Sequence, residues 1–182
     1  MKNIYILPLI LFIISCGETV REEITEKYEN GNKKVVVKYK GEGNDEEIVK
    51  KTFYYEWGPI DKEKHYEDGK QDGLFIDYNV DGQIGLEVNY KNGKLDGKWT
   101  SYDDNGHISY ENNYKDGKWD GKWTSYYDNG HIEYEKNYKD DIRDGKWTYY
   151  DENGQIKQEE NYKDGKKDGL WISYEEGDKK VK

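Results

Sequence analysis

The sequence contains little of what a compact globular enzyme normally uses. Its 182 residues include one cysteine, two prolines and three histidines, and only 33% of them are hydrophobic. A single cysteine excludes an intramolecular disulfide, and so few hydrophobic residues argue against a large aliphatic core. The histidines lack metal-ligand spacing, and no nucleophile, base and orienting acid can be grouped from the sequence. We therefore expect no enzymatic activity, no cofactor and no metal site.

Positive charge is also in deficit. The chain has 29 Lys and Arg residues against 39 Asp and Glu residues, which gives a formal net charge of -10. Such a chain is repelled by phosphate groups, so we expect neither a nucleic acid nor an anionic lipid headgroup as a partner. Attachment to a membrane would need another basis.

The N-terminus offers such a basis. Residues 4–14 form an apolar run after Lys2, and they are too few to span a hydrocarbon core, which takes about 20 residues. The run is typical of a secretory signal. Residues 13–16, Ile-Ile-Ser-Cys, resemble a bacterial lipobox, which implies removal of residues 1–15 and acylation of Cys16. The alternative is a core cysteine in an ordinary hydrophobic segment.

Acylation at Cys16 would make a lipid bilayer the first partner of this chain. Several acyl chains give a lasting anchor, whereas a single chain binds a membrane only marginally. We then expect a monomer attached to a membrane of the bacterial cell envelope, facing either the periplasm or the cell surface.

What the sequence does have is a repeat. The dipeptide Asp-Gly recurs every 24 residues, at Gly73, Gly97, Gly121, Gly145 and Gly169. Each copy is followed by a large aromatic residue, at Phe75, Trp99, Trp123, Trp147 and Trp171, and then by a tyrosine, at Tyr78, Tyr102, Tyr126, Tyr150 and Tyr174. A fixed period of this length indicates units that stack on their neighbours. Four full units start from Tyr66, a shortened one follows, and the alignment extends upstream to Tyr54.

The unit reads Tyr-x-x-Gly-Lys-x-Asp-Gly-x-Trp-x-x-Tyr-x-x-x-Gly-x-Ile-x-x-Glu. It resembles the MORN repeat variant of bacterial proteins, the group often called YwqK-type antitoxins. The resemblance extends over residues 54–182. It implies a fold of β-hairpin repeats and, through the name of the group, binding to a toxin. A lipid-anchored chain could do so only as an immunity protein against an envelope or extracytoplasmic toxin.

Residue chemistry predicts the same fold. Each unit has two short runs rich in Trp, Tyr, Thr and Ile, bounded by Asn, Asp and Gly, which favours two strands per unit. Pairs such as Asn105-Gly106 predict hairpin turns, and the longer Gly-Lys-x-Asp-Gly stretches predict the opposite turns. We expect an all-β, elongated, single-layer antiparallel meander, roughly 50 to 60 Å long from Tyr54 onward. Both faces should carry aromatic rings, since Trp99 and Tyr102 differ in parity.

Residues 16–53 are less regular. After the acylated Cys16, residues 17–26 are polar and acidic and predict a flexible tether. Residues 33–39 and 47–55 predict two strands joined by a loop, which would be decayed repeats or a cap over the edge of the sheet.

Two classes of function remain. The first is a scaffold for protein–protein interaction, with an unknown protein, such as a toxin, as the partner. The second is an envelope glycan-binding lipoprotein, in which exposed tryptophans at regular intervals would stack on sugar rings: Trp99, Trp123, Trp147 and Trp171. The competing interpretation is that these tryptophans stack along the sheet for stability. The acidic run at Asp140, Asp141 and Asp144 could bind calcium, but turn chemistry explains it more simply.

Overall fold

The computed structural model describes residues 11–15, 18–175 and 178–181, and side-chain environments from Thr19 to Tyr174. Its described secondary structure is β-strand, apart from one 3-10 turn at Gly43–Asp45. The strands in chain order are β1 Leu11–Ser15, β2 Glu18–Lys27, β3 Lys33–Lys40, β4 Glu47–Tyr54, β5 Ile60–Glu67, β6 Lys70–Tyr78, β7 Ile84–Lys91, β8 Lys94–Tyr102, β9 Ile108–Lys115, β10 Lys118–Trp119, β11 Gly121–Tyr126, β12 Ile132–Lys139, β13 Ile142–Arg143, β14 Gly145–Tyr150, β15 Ile156–Lys163, β16 Lys166–Lys167, β17 Ile172–Glu175 and β18 Asp178–Val181.

Successive strands pair antiparallel along the whole described chain. For example, β7 pairs with β8, and β8 pairs with β9. The short strands β10 and β13 are the first parts of β11 and β14, because each pair of pieces faces the same neighbouring strand. The main contacts between elements run from each strand to the next. The molecule is therefore one open antiparallel sheet of hairpins, and the predicted fold class is confirmed.

At one end of the hairpins, consecutive strands are joined by wide loops of five residues. In the loop that starts at Asp103, the Asp103 N–H donates to the carbonyl of His107 over 2.8 Å, and the Gly106 N–H donates to the carbonyl of Asp103 over 3.0 Å. Gly106 has a φ of 82°, which glycine adopts without steric cost. Loops with the same two bonds begin at Tyr28, Tyr55, Asn79, Asp103, Tyr127 and Asp151. The predicted hairpin turns at Asn105-Gly106 and its equivalents are thus confirmed.

At the opposite end of the strands, two-residue turns make the connections. Asp116 and Gly117 have φ values of 50° and 88°, and positive φ at both central residues defines the type I′ turn that matches strand twist. Equivalent turns begin at Asp68, Asn92, Asp116, Asp140 and Asp164. The sequence-based placement of this turn over the whole Gly-Lys-x-Asp-Gly stretch was therefore wrong, because only its first glycine belongs to the turn.

The Asp-Gly pair that marks the repeat lies within a strand and forms a bulge there. The Asp120 N–H donates to the carbonyl of Asn113 over 3.0 Å, and the Asn113 side-chain amide donates to the carbonyl of Lys122 over 2.7 Å. Gly121 has a φ of 110°, and a Cβ placed on it would lie 3.3 Å from the Asn113 Cβ. Glycine is required here both by the backbone and by the asparagine.

The N-terminal part differs from the expectation of a flexible tether. Over its described residues it forms β2, a regular strand paired with β3. The charges that suggested a tether form ion pairs in the sheet, since Arg21 donates to Glu46, just before β4, over 2.6 Å and to Glu23 on its own strand over 2.7 Å. Its guanidinium also lies 3.9 Å from the centre of the Tyr39 ring. The strands predicted over 33–39 and 47–55 are confirmed as β3 and β4.

The predicted signal and lipid anchor stay predictions. Cys16 lies outside the described residues, and Leu11–Ser15 forms β1, which pairs with β2. Within the described parts of the chain, no helix is long and apolar enough to cross a membrane.

Candidate functional site

The repeats give the sheet two chemically different faces. In β8 and β9, Thr100 faces Glu111 and Trp99 faces Asn112. We call the face with Lys98, Thr100, Tyr102, Glu111 and their equivalents the polar face. The opposite face carries Trp99, Ser101, Tyr110, Asn112, Tyr114 and their equivalents, and we call it the aromatic face. Aromatic residues therefore occur on both faces, as the parity of Trp99 and Tyr102 predicted.

The charged and polar side chains of the polar face are paired with one another. Its glutamates bind a tyrosine hydroxyl from one neighbouring strand and a lysine from the other, as Glu135 does with Tyr150 over 3.2 Å and Lys122 over 2.7 Å. Burial, together with the hydrogen bond to Glu87, raises the pKa of Tyr102 to about 12. The threonines between these groups are buried: Thr100, Thr124 and Thr148. Little hydrogen-bonding capacity is left here for a ligand.

The aromatic face contains a continuous row of rings. Along the sheet axis the ring centres of Trp123 and Tyr138 are 5.8 Å apart, those of Tyr138 and Trp147 are 5.4 Å apart, and those of Trp147 and Tyr162 are 4.9 Å apart. Trp171 continues the row 5.7 Å beyond Tyr162. The rings are tilted to one another, which is a favoured arrangement for aromatic pairs.

The tryptophans singled out from the sequence are integrated in this packing. Trp147 is 4% exposed, whereas Trp99, Trp123 and Trp171 are half-buried. The tryptophan that is widely exposed is Trp57, at 60%. It lies on a wide loop and stacks on Tyr55 with ring centres 4.6 Å apart.

Sequence reasoning missed the tyrosines that separate the tryptophans in the row. They recur at the unit starts with the same spacing of 24 residues, at Tyr66, Tyr90, Tyr114, Tyr138 and Tyr162. Their period was visible in the sequence, but their place between the tryptophans depends on the strand register, in which Tyr114 faces Gly97 and Tyr138 faces Gly121. A tyrosine opposite a glycine can lean into the space that the missing side chain leaves.

Cations cover the rings of the last repeats. The Lys136 ammonium lies 3.6 Å from the centre of the Tyr134 ring, 5.0 Å from that of Tyr149 and 5.1 Å from that of Trp147. The Arg143 guanidinium lies 4.7 Å from the centre of the Trp147 ring. These distances fit cation–π contacts. Burial lowers the pKa of Lys136.

Unpartnered buried polar atoms occur on this face as well. Within the described part of the chain they are Gln71 Nε2, Asn112 Oδ1 and Trp123 Nε1. Gln71 faces Tyr66, Asn112 faces Trp99, and Trp123 faces Lys136. Buried polar groups normally have a hydrogen-bond partner, so each of these atoms is a site where water or a ligand group would be favoured.

The acidic run considered for calcium is used in turns. Asp140 and Asp141 form a tight turn with φ values of 50° and 68°, and Asp141 Oδ1 accepts from the Trp119 N–H over 2.8 Å. Asp144 pairs with Lys163 over 2.9 Å. In the described regions, no group of three or more His, Cys, Asp or Glu side chains is arranged to hold a metal ion.

A comparison with known protein families identifies the same repeat. The family described as "MORN repeat variant" matches residues 95–116, 119–140 and 143–164. These segments contain the wide loops, the Asp-Gly bulges and most of the aromatic row, and each segment ends on the first residue of a tight turn. A search of curated proteins found no match. The chain thus carries MORN-type repeats and has the architecture of a repeat scaffold.

Proposed function

We propose that this protein is a bacterial lipoprotein that binds another protein through the aromatic face of its MORN-type repeats. The observation that carries the proposal is the asymmetry of the sheet. The charged groups of the polar face are paired, whereas the aromatic face holds the ring row and the unpartnered polar atoms. Aromatic residues and arginine are enriched at the centres of protein interfaces.

Repeat scaffolds commonly bind partners along an extended surface. The described chain forms a single sheet, so no second layer packs on the aromatic face, and its rings are covered only by adjacent side chains of the same face. Some rings of this face remain accessible to solvent; Tyr110, for example, is 40% exposed. A partner that packs on this face would bury rings and supply the missing hydrogen bonds at once.

The lipid anchor is the second part of the proposal. Acylation of Cys16 would hold the scaffold at a membrane of the bacterial envelope. Cleavage before Cys16 would also remove β1 and leave β2 at the edge of the sheet, where its charged side chains discourage pairing with other chains. Intact mass of the membrane-extracted protein tests this, because the loss of residues 1–15 and a gain of acyl mass are expected together. Uncleaved, unmodified protein would refute the anchor.

The antitoxin role is a special case of this proposal. A chain anchored in the envelope would neutralise a toxin that acts there, as an immunity protein does. Co-expression with such a toxin would then restore growth only when the aromatic face is intact.

A matched pair of variants tests the binding surface. Tyr110→Asp places a carboxylate on the aromatic face, and Lys98→Asp places one on the polar face of the same repeat, where the Lys98 side chain is 56% exposed. The lipidated protein is used to capture partners from native membranes, and captured proteins are quantified for wild type and both variants. The proposal requires a protein that Tyr110→Asp loses and Lys98→Asp retains. Equal retention, with both variants folded, would contradict it.

One observation favours glycan binding as a second candidate. A cavity of about 440 Å³ is lined by Trp171 together with the polar side chains of Gln158, Lys167 and Ser173. One ring beside several hydrogen-bonding groups is suited to a sugar. Titration with peptidoglycan and polysaccharide fragments decides between the candidates. Saturable binding that Trp171→Ala abolishes and that salt hardly affects would establish the glycan interpretation.

A further inference from the structure

The last repeats of the aromatic face carry a cluster of cations, although the protein as a whole is acidic. The chain carries a formal net charge of -10, yet its last repeats present a cluster of cations that we call the basic patch: Lys136, Arg143 and Lys167. Lys136 lies on β12 and is half-buried, whereas Arg143 on β13 and Lys167 on β16 are exposed. A ligand that approaches this part of the face meets positive charge first.

Aromatic rings, not carboxylates, hold these cations in place. Lys167 Nζ lies 3.4 Å from the centre of the Trp171 ring. Arg143 lies over Trp147 and also 5.2 Å from the centre of the Tyr162 ring, and its Nη1 donates to the Tyr162 hydroxyl over 3.2 Å. Cation–π contacts position a charge without neutralising it.

The polar face shows the opposite arrangement. The equivalent lysines of three successive repeats each pair with a glutamate on the next strand: Lys98 with Glu111, Lys122 with Glu135 and Lys146 with Glu159. Among the residues that the structure describes, no member of the basic patch forms such an ion pair.

Two carboxylates, Glu133 and Glu160, interact with Lys136 through space, and both accept hydrogen bonds from other side chains. Glu160 is 7% exposed and accepts from the Tyr162 hydroxyl over 2.9 Å and from the Gln158 side-chain amide. Glu133 accepts from the Ser125 hydroxyl over 2.7 Å. These contacts leave the three cations available to an external anion.

We propose that the basic patch binds an extended acidic segment of the partner protein, with an acidic residue at every third position. The inference rests on the proposed function and specifies the chemistry of the partner. Arg143 and Lys167 occupy equivalent positions one repeat apart, and two strand spacings of about 4.8 Å separate them by roughly 9.6 Å. A polyproline II segment repeats its side chains every three residues, or about 9.3 Å, at a rise of about 3.1 Å per residue. Alternate residues of a β-strand, about 6.8 Å apart, would not match.

The rings around the basic patch suit the same ligand. Tyr138, Tyr149 and Trp171 are half-buried. Tyr149 lies below Lys136 and Trp171 below Lys167 at cation–π distance, and Tyr138 lies between Trp123 and Trp147 in the ring row. Polyproline II segments are recognised by surfaces lined with aromatic rings. A short acidic segment would contact the patch alone, whereas a long nucleic acid would also meet the acidic remainder of the chain and be repelled by it.

Peptide binding to the full-length mature protein tests the proposal. The probe is a fluorescent peptide of repeated Glu-Pro-Pro triplets, and fluorescence anisotropy gives its Kd. The triple variant Lys136→Gln, Arg143→Gln and Lys167→Gln should weaken binding by roughly 3-fold to 150-fold, since each exposed charge pair contributes about 0.2–1 kcal/mol. The control variant is Lys98→Gln, Lys122→Gln and Lys146→Gln, which removes three charges at the repeat spacing from the polar face. It should leave Kd within about twofold of wild type.

Two further probes make the result specific. A peptide of repeated Glu-Pro pairs with the same number of carboxylates should bind more weakly, because its charges follow a different spacing. Vesicles with an anionic lipid and oligothymidylate serve as the other polyanions. If either binds more tightly than the peptide and is lost in the basic-patch variant, the ligand is not a protein segment and the proposal is overturned. No binding of the peptide by folded wild-type protein would also overturn it.

Failure of this inference and failure of the proposed function give different results. A captured partner that Tyr110→Asp loses but the basic-patch variant retains would support the aromatic face as the binding surface and refute an acidic ligand.

Discussion

At the scale of single residues, the glycine of each Asp-Gly bulge and the asparagine on the preceding strand act as one unit. The asparagine side chain contacts the glycine and donates to a backbone carbonyl, as Asn89 does at Gly97 with its bond to the Lys98 carbonyl over 3.0 Å. In the last unit Asn161 keeps the bond, to the Leu170 carbonyl over 3.1 Å, but no atom lies within 4 Å of the position that a Cβ on Gly169 would take. In the first repeat His65 takes the same position, with its Nδ1 2.6 Å from the Leu74 carbonyl oxygen. The bulge is thereby fixed in each repeat by a side chain of its neighbour strand.

Alanine substitution at two glycines of the same repeat distinguishes the cost of backbone strain from the cost of a steric clash. Gly121 has a φ of 110° and faces Asn113, whereas Gly130 has a φ of 82° and no atom within 4 Å of the position that a Cβ would take. We expect both alanine substitutions to be destabilising, because strained backbone costs about 1–3 kcal/mol. Gly121→Ala should cost more than Gly130→Ala because it also displaces the Asn113 amide. Urea unfolding of the two variants measures the difference, and equal losses would show that the asparagine contact is unimportant.

Tyrosines on both faces make stability sensitive to alkaline pH. Burial raises the pKa of Tyr102 and of Tyr149 to about 12, from an ordinary value of 10.0. Because the folded-state pKa lies above the unfolded one, the protonated phenols stabilise the fold fully below pH 10. This contribution is lost as the pH rises from about 10 to about 12.

Spectrophotometric titration of tyrosinate checks this expectation. Tyr102→Phe should remove part of the ionisation above pH 10 and reduce the loss of stability in that range. A titration in which all tyrosines of the folded protein ionise near the ordinary pKa would contradict it.

At the scale of elements, the hairpin was predictable and its details were not. The alternation of Trp, Tyr and Thr with turn residues indicated two strands per unit, and the structure has them. The Asp-Gly pair was ambiguous, because the positive φ of glycine serves bulges as well as turns. The register could not be derived either, since it depends on contacts between units, such as the Gly117 N–H that donates to the carbonyl of Leu95 over 2.7 Å.

The candidate site was predictable only in part. The periodic tryptophans pointed to rows of rings, but the sequence did not show that tyrosines lie between them or that Trp147 is buried. The basic patch was hidden by the overall acidity of the chain. Lys136 belongs to a different position of the repeat from Arg143 and Lys167. The pairing of β12 with β13 and β14, and of β15 with β16, brings the three cations over neighbouring rings.

Position along the row should decide how much each ring contributes to stability. Trp123 has ring neighbours in Trp119, Tyr134 and Tyr138, whereas Trp171 contacts the row at Tyr162. Truncation of a buried aromatic residue to alanine costs about 3–5 kcal/mol. Trp123→Ala should approach that range and Trp171→Ala should fall well below it. Thermal melts of the two variants test this, and equal small losses would mean that the row is not a packed element.

At the scale of the whole molecule, stability is built from neighbour to neighbour. The main contacts join adjacent strands, so in the described part of the chain no central core gathers distant segments, and the sheet extends with each repeat. Circular dichroism should show β-structure with negligible helix, and small-angle scattering should show a radius of gyration well above the roughly 16 Å of a compact domain of this length. A compact particle would contradict an open sheet.

Site-specific photo-cross-linking tests the proposed difference in function between the two faces of this sheet. Benzoylphenylalanine is placed at Tyr110 on the aromatic face or at Lys98 on the polar face, in the full-length protein expressed in its native cells. We expect one discrete cross-linked protein product from Tyr110 and none from Lys98. The same product from both positions, or a product from Lys98 alone, would contradict it.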